Sequence, residues 1–190
     1  MKNLLLINGH DEYERAQGGL NKRLSNEIKK VVSDEFTIMT SDVISGYEVS
    51  EEINKFKKAD VVMIQAPIYW FSLPGILKKY IDDVFIPDVF FGKAKSFGKG
   101  GLFKNKKYML SITWGAQSSV FNNERNTFLE GLSEEQVLFP VHKTFEYCGF
   151  QQLPTFSVYS SMRLETVSPS LERLQKHLQS HVLANRSFIG

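Results

Sequence analysis

Val61-Val62-Met63-Ile64-Gln65-Ala66-Pro67 runs into Ile68-Tyr69-Trp70-Phe71-Ser72-Leu73-Pro74, and the reading of this stretch decides the fold. Four consecutive apolar residues closed by turn residues read as a strand buried on both faces, as parallel sheets require. Pro74 suits the first turn of a helix, and Leu77, Tyr80, Ile81 and Val84 follow it at helical spacing. The same strand–helix unit recurs along the chain. Leu4–Ile7 is another continuous apolar run, closed by Asn8-Gly9. Beyond polar residues 9–19, Leu20, Leu24, Ile28 and Val31-Val32 make a helical stripe through about residue 33. Phe36–Met39 reads as a short strand. Ser50 can cap a helix with Glu51 and Glu52 in its first turn and Ile53 and Phe56 on its apolar side.

Further along, Lys107–Thr113 is a fourth strand and Glu134–Cys148 a helix with Val137, Val141 and Phe145 inside. Thr155–Tyr159 is the fifth strand, and a last helix runs from about Pro169 to Leu183. Strands alternating with helices predict an α/β fold with a parallel sheet covered on both faces. Residues 1–190 read as one domain, a doubly wound five-stranded sheet in the order 2-1-3-4-5. Such sheets bind ligands outside the carboxyl ends of their strands, which places function on residues 9–19, 67–73 and 114–124.

Composition narrows the function classes. The formal net charge of +2 lacks the basic excess of a nucleic-acid binder. The apolar run at the N-terminus stops before Asn8, and no stretch is long enough to span a membrane. The reading is a cytoplasmic protein without membrane insertion. Cys148 is the single cysteine, which leaves no intrachain disulfide and no Cys/His cluster for a metal. In Tyr147-Cys148-Gly149-Phe150 it reads as a buried thiol at a helix end, with Gly149 as the left-handed cap. His10, His142, His177 and His181 form no ligand cluster and read as surface or capping residues. His142 is set apart by its place on a helix near the third rim segment.

The first rim segment, Gly9 to Asn21, leads through Gly18-Gly19 straight into a helix, so free amides and the positive dipole end face the rim. It reads either as an anion site, most naturally for phosphate, or as an ordinary connection relaxed by glycine. Asp11, Glu12 and Glu14 should then point to solvent, with Arg15 and Arg23 offsetting them. The second segment sets Tyr69, Trp70 and Phe71 between two prolines; adjacent rings cannot all point inward. Such faces suit a planar heteroaromatic ligand or a dimer contact. In the third, Thr113 offers a hydroxyl and Gly115 lets backbone approach a ligand closely. Residues 87–105 form one long irregular stretch rich in Gly, Lys and Phe.

Pro67-Ile68-Tyr69-Trp70-Phe71-Ser72-Leu73-Pro74-Gly75-Ile76-Leu77-Lys78-Lys79-Tyr80-Ile81-Asp82-Asp83-Val84-Phe85 resembles the flavodoxin-like NAD(P)H:quinone oxidoreductases, and among them the bacterial modulator of drug activity B family. Residues Gly100 to Trp114, Phe139-Pro140-Val141-His142-Lys143 and Leu153-Pro154-Thr155-Phe156 are similar to that family in register. The resemblance covers essentially the whole chain. It implies an FAD-containing, NADPH-dependent quinone reductase that works as a homodimer, with the flavin at the subunit boundary and the chemistry centred on it. Carried over, Ala16, Gln17, Gly18, Gly19, Leu20, Asn21, Lys22 and Arg23 would bind the FAD pyrophosphate side. Pro67, Ile68, Tyr69, Trp70 and Phe71 would hold the isoalloxazine, Thr113, Trp114, Gly115 and Ala116 its pyrimidine edge, and Phe97 would be the family's aromatic at the cofactor.

Two departures from the pattern stand out. Ala16-Gln17 replaces the Ser or Thr usual before the first helix, and Phe121 stands where mammalian relatives have a tyrosine proposed to relay a proton. A one-electron flavodoxin-type carrier and an accessory subunit of a potassium-efflux system are the alternatives; the latter resembles this family too. Beyond the resemblance, Lys93, Lys95, Lys99, Lys104, Lys106 and Lys107 fall in a stretch with no Asp or Glu. Lys95 and Lys99 are the expected contacts for the NADPH 2′-phosphate. A dimer is also expected from aromatics exposed around Trp70 and at Phe90-Phe91.

Overall fold

The structure is a computed structural model that describes residues 1–14, 16–125 and 128–184. Its strands are β1 (Lys2–Asn8), β2 (Phe36–Asp42), β3 (Val61–Pro67), β4 (Lys107–Thr113), β5 (Gln151–Gln152) and β6 (Phe156–Val158). The helices are α1 (Gly19–Val32), α2 (Val49–Lys58), α3 (Gly75–Val84), α4 (Glu134–Val137), α5 (Phe139–Tyr147) and α6 (Ser168–Leu178). All strand pairs are parallel, in the order β2-β1-β3-β4-β5, with β6 also on β4. This is the doubly wound α/β sheet expected, with strand order 2-1-3-4-5.

The fifth strand differs from its expectation. β5 pairs with Lys107 and Tyr108 and β6 with Ser111 to Thr113, so one line along β4 is broken in two. Pro154 lies in the break, and a proline has no N–H to give to the ladder. The helix expected over Glu134–Cys148 is likewise two pieces, because Leu138 leaves helical geometry (φ −87°, ψ 6°) just ahead of Pro140. Other ends shift by a residue or two: α2 starts behind Glu48 rather than Ser50, Pro74 precedes α3 rather than entering it, and α6 passes into a π-turn over Gln179–Leu183.

Alternation along each strand splits the core in two. Leu5 and Ile7 of β1 face α2, α3 and α5, while Leu4 and Leu6 face α1 and α6. β3 is buried at every residue, which matches its unbroken apolar reading and fixes it at the centre of the sheet. The Gly/Lys/Phe-rich stretch after α3 is anchored in the first core. Phe90 is fully buried, stacked on Phe85 at 4.4 Å and on Phe103 at 4.6 Å, and Phe103 stacks on Phe150 at 5.0 Å. Phe90 is therefore a core residue and no part of an exposed pair. Lys106 is also committed to the fold: its ammonium donates to the carbonyls of Lys57 (2.8 Å) and Ala59 (2.5 Å) at the end of α2.

Candidate active site at the carboxyl rim

α1 begins without a side-chain cap and with no acidic residue in its first turn. Its first helical bond runs from the Lys22 amide to the Gly18 carbonyl at 2.9 Å, so the amides ahead of Lys22 have no helical acceptor. Gly18 is left-handed (φ 73°), and a Cβ there would stand 2.7 Å from the His10 ring. Only glycine fits this contact. His10 is itself buried, and its Nε2 donates to the Ala16 carbonyl at 3.0 Å. It folds the first rim segment back on itself, which corrects its reading as a surface or capping residue. Glu12 and Glu14 are exposed as expected, Asp11 is half-buried, and Arg15 lies outside the described residues.

A polar chain, buried from Ser111 to Asn21 and reaching the surface at Asp42, seats α1 on the sheet. The Ser111 hydroxyl donates to Gln65 Oε1 (2.7 Å), Gln65 Nε2 to Asn21 Oδ1 (2.7 Å), Asn21 Nδ2 to Asn8 Oδ1 (2.5 Å) and Asn8 Nδ2 to Asp42 Oδ1 (3.3 Å). Every link donates in the same direction, towards a carboxylate, so the bonds polarise one another. Gln65 and Asn21, which could read as mere strand-end and helix-start residues, thus set where the free amides point.

The second segment is a tight turn. Tyr69 and Ser72 exchange both backbone bonds (2.9 and 3.0 Å), and the two residues between them, Trp70 (φ 50°) and Phe71 (φ 64°), are both left-handed. Two consecutive positive φ values suit Asn-Gly, not two bulky rings; such strain costs about 1 to 3 kcal/mol per residue and clusters at functional sites. Trp70 is 92% exposed and Phe71 45%. Tyr69 turns inward and meets Tyr13 of the first segment edge to face, with ring centroids 5.4 Å apart.

The third segment contributes backbone rather than rings. Trp114 is buried, packed on Phe121 at 5.0 Å, and its amide donates to the Val158 carbonyl at 2.7 Å. Its indole N–H donates to Glu134 at 2.5 Å. Phe121, buried between Trp114 and Tyr159, is a packing residue here.

These elements enclose a cavity of about 330 Å³ at the switch point between β1 and β3. Of the residues expected there, Ala16 to Asn21, Pro67 to Tyr69, Thr113 and Gly115 line it. Lys22 instead lines a neighbouring hollow of about 340 Å³ that shares His10, Gln17 and Gly18 with the first. Arg23, Trp70, Phe71, Trp114 and Ala116 line neither. Phe97 is 94% exposed beside Tyr147, on a groove between α3 and α5, and Lys95 and Lys99 are on the same exposed loop. The cavity also takes His10, Ser161 and Met162, which the sequence reading missed. Ser161 and Met162 follow β6 in a 3-10 turn with no motif to mark them.

Two further expectations resolve outside the cavity. His142 is buried, with Nδ1 2.7 Å from the Tyr108 hydroxyl and Nε2 2.7 Å from Glu135 Oε2. Tyr108 is at the start of β4, the opposite end from Thr113, so His142 belongs to the base of the sheet. Cys148 is buried as expected, and burial pushes its thiol up to about 12.

A family model described as flavodoxin-like fold matches residues 2–182. The chain belongs to that family. It is 33% identical over 190 residues to the NADPH:quinone oxidoreductase MdaB of Haemophilus influenzae, covering 93% of this chain and 97% of that one. The protein is thus a homologue of NAD(P)H:quinone oxidoreductases over most of its length, as the resemblance implied. Among solved structures, general stress protein 14 of Treponema denticola in complex with FMN superposes with a TM-score of 0.71 at 24% identity, over 95% of this chain and 97% of that one. An NADPH-quinone reductase of P. pentosaceus superposes with a TM-score of 0.67 at 18% identity, over 93% and 97%. At these identities the superpositions speak for the fold.

Proposed function

We propose that the protein is an FAD-dependent NADPH:quinone oxidoreductase that acts as a homodimer in the cytoplasm. The observation that carries this reading is the cavity itself, with unpaired α1 amides at one end and the strained Tyr69–Ser72 turn at the other. The residues present fit a flavin. Gly18 to Asn21 offer amides to a phosphate, with no carboxylate in the first helical turn to repel it. Ile68, Tyr69 and Thr113 offer a wall for a flat ring system. Among the described residues the Gly115 amide has no backbone acceptor, so it is available to a developing negative charge on the ring edge.

When bound, the flavin supplies two-electron transfer from a nicotinamide to a quinone. The chain's own part is to bind, orient and exclude water. Tyr69, turned in against Tyr13, closes one side of the cavity, and Met162, above Gly115, closes another. Among the described residues the ionisable side chains that line the cavity are His10, tied to the Ala16 carbonyl, and Tyr69, whose phenol burial holds above its usual range, so rate differences among variants should follow binding and orientation.

FAD rather than FMN is favoured because the second hollow opens beyond the position a phosphate would take, leaving room for an adenosine half. Exposed Trp70 and Phe97, with Phe139 at 57%, favour a partner subunit. Lys95 and Lys99 line neither hollow of their own chain, so their proposed contact with the NADPH 2′-phosphate is made to the neighbouring subunit's site. The test is chromatography of heat-released cofactor, paired with steady-state turnover of NADPH and a quinone and with light scattering of the same sample. FAD, turnover and a dimer mass are expected. FMN would correct the cofactor and a monomer the assembly, while no flavin uptake and no turnover would overturn the reading.

A further inference from the structure

The structure assigns to Glu134 the role of positioning residue for the rim: its carboxylate ties the exit of β4 to the exit of β6 and so sets two walls of the cavity. The inference rests on the flavin-binding reading above for its functional consequence. Glu134 Oε1 accepts from the Trp114 indole at 2.5 Å and from the Ser157 hydroxyl, and Oε2 accepts from the Tyr159 phenol at 2.8 Å. Trp114 stands between Thr113 and Gly115, which line the cavity from β4; Tyr159 leads to Ser161 and Met162, which line it from the other side.

Backbone bonds complete the junction. The Ser161 amide donates to the Trp114 carbonyl and the Ser160 amide to the Ala116 carbonyl, each at 2.8 Å. Glu134 itself lines neither hollow, so it acts through Trp114 and Tyr159.

The chemistry demands an acceptor here. An indole N–H can only donate, whereas a carboxylate offers lone pairs to all three donors and brings no proton of its own. The position of the carboxylate is set independently of these bonds. Ser133 and Gln136 form a reciprocal capping box around it: the Gln136 amide donates to Ser133 Oγ at 3.2 Å and the Ser133 amide to Gln136 Oε1 at 2.8 Å. The short helix α4 therefore presents Glu134 to the rim as a fixed clamp.

Its two tryptophans let the protein report on the clamp without any cofactor. Trp70 is 92% exposed and Trp114 4%, so acrylamide should quench one indole readily and spare the other. In Glu134→Ala both indoles should become accessible, and the dissociation constant for added FAD should rise about tenfold, the effect of losing hydrogen bonds to a charged acceptor. Glu134→Gln keeps the single acceptor that Trp114 needs and should fall between. Gln136→Ala keeps the carboxylate but removes the capping box that presents it, so it should loosen Trp114 and FAD in the same sense but less than Glu134→Ala does. A lower melting temperature in Glu134→Ala with Trp114 still shielded and FAD affinity intact would reduce Glu134 to a structural residue. So would a Gln136→Ala variant that loosens FAD as much. If Glu134→Ala fails to fold, Glu134→Gln carries the same two measurements. If the parent protein takes up no flavin, the flavin reading falls, and the quenching experiment still decides whether Glu134 holds Trp114.

Discussion

Trp70 and Phe71 occupy a turn in which both are left-handed and both reach solvent, whereas Phe90, from an equally aromatic segment further along, is fully buried between Phe85 and Phe103. One segment follows the central strand β3 and the other the helix α3, and in composition they look alike. The packed segment satisfies every rule of a core: rings stacked or edge to face and backbone tied across the loop by Gly92 to Gly100 and Leu102 to Phe90 bonds. The turn is tied by its own Tyr69–Ser72 bonds and Phe71 meets Phe128 at 5.5 Å, yet Trp70 and Phe71 stay exposed. It holds bulky rings where glycine belongs and leaves them unburied, an arrangement that only a partner surface or a ligand would retain. Aromatic content alone therefore does not mark a site; aromatic content on strained, exposed backbone does.

The sharpest way to break this contrast is Phe90→Ala. Removing a fully buried ring between two stacked neighbours should cost about 3 to 5 kcal/mol in urea denaturation, with flavin affinity of the folded protein unchanged. A loss under about 1 kcal/mol would show the stack to be dispensable and the contrast false.

The loop that carries Phe97 extends from the packed segment and is the test of whether any of it serves the site. Replacing both Lys95 and Lys99 with Ala should raise the NADPH Michaelis constant about tenfold, leave that for NADH alone, and lose its effect as salt rises. Equal weakening of both nucleotides would make the loop a general anion attractor. Loss of flavin would assign the lysines to the flavin phosphates instead.

The turn should respond in the opposite sense to the core. Trp70→Asn combined with Phe71→Gly relieves two left-handed residues and should raise stability by about 1 kcal/mol while quinone turnover falls. A destabilised double variant would mean that the turn stores no strain.

The smallest effect is expected at the polar edge of the packed region. Contact with the His142 ring, together with hydrogen bonding from Gln152, holds the Glu135 carboxyl down at about 2. A depressed folded pKa contributes stability that is present above the unfolded value near 4.5 and is lost as pH falls towards 2. Because the Glu135 side chain is 47% exposed, the contribution should stay under about 1 kcal/mol. Glu135→Gln should flatten the pH dependence of stability between pH 5 and 2 by that amount. An unchanged slope would assign acid sensitivity elsewhere.

Local signals were sufficient wherever one element carries its own pattern. β3 opens with four apolar residues and is buried along its length, and the stripe from Leu20 to Val32 is α1 within a residue. Gly18-Gly19 before that stripe was enough to place the open amides at one end of the cavity, because a helix start exposes its amides whatever surrounds it. The pattern misled where two rules act on the same residues. Helical spacing from Glu134 to Cys148 is continuous, yet Pro140 splits it; Thr155–Tyr159 looks like a whole strand, yet its line along β4 begins before Pro154.

Amino-acid order by itself determined the alternation of strands and helices, the doubly wound sheet, and the three segments that make its carboxyl rim, since each follows from the period of apolar residues and the chemistry of turns. Only the tertiary structure decided which side chains those segments turn inward. Tyr69 faces the cavity and its neighbour Trp70 does not, because the Tyr69–Ser72 bonds reverse the chain between them. His10 closes the first segment only because the chain brings the Ala16 carbonyl to its Nε2. Glu134 reaches Trp114, Ser157 and Tyr159 from a helix that no periodicity connects to them. Contacts of this kind depend on distances between residues far apart in the chain, which pattern along the chain does not encode; they exist only once the sheet has set the places of β4 and β6.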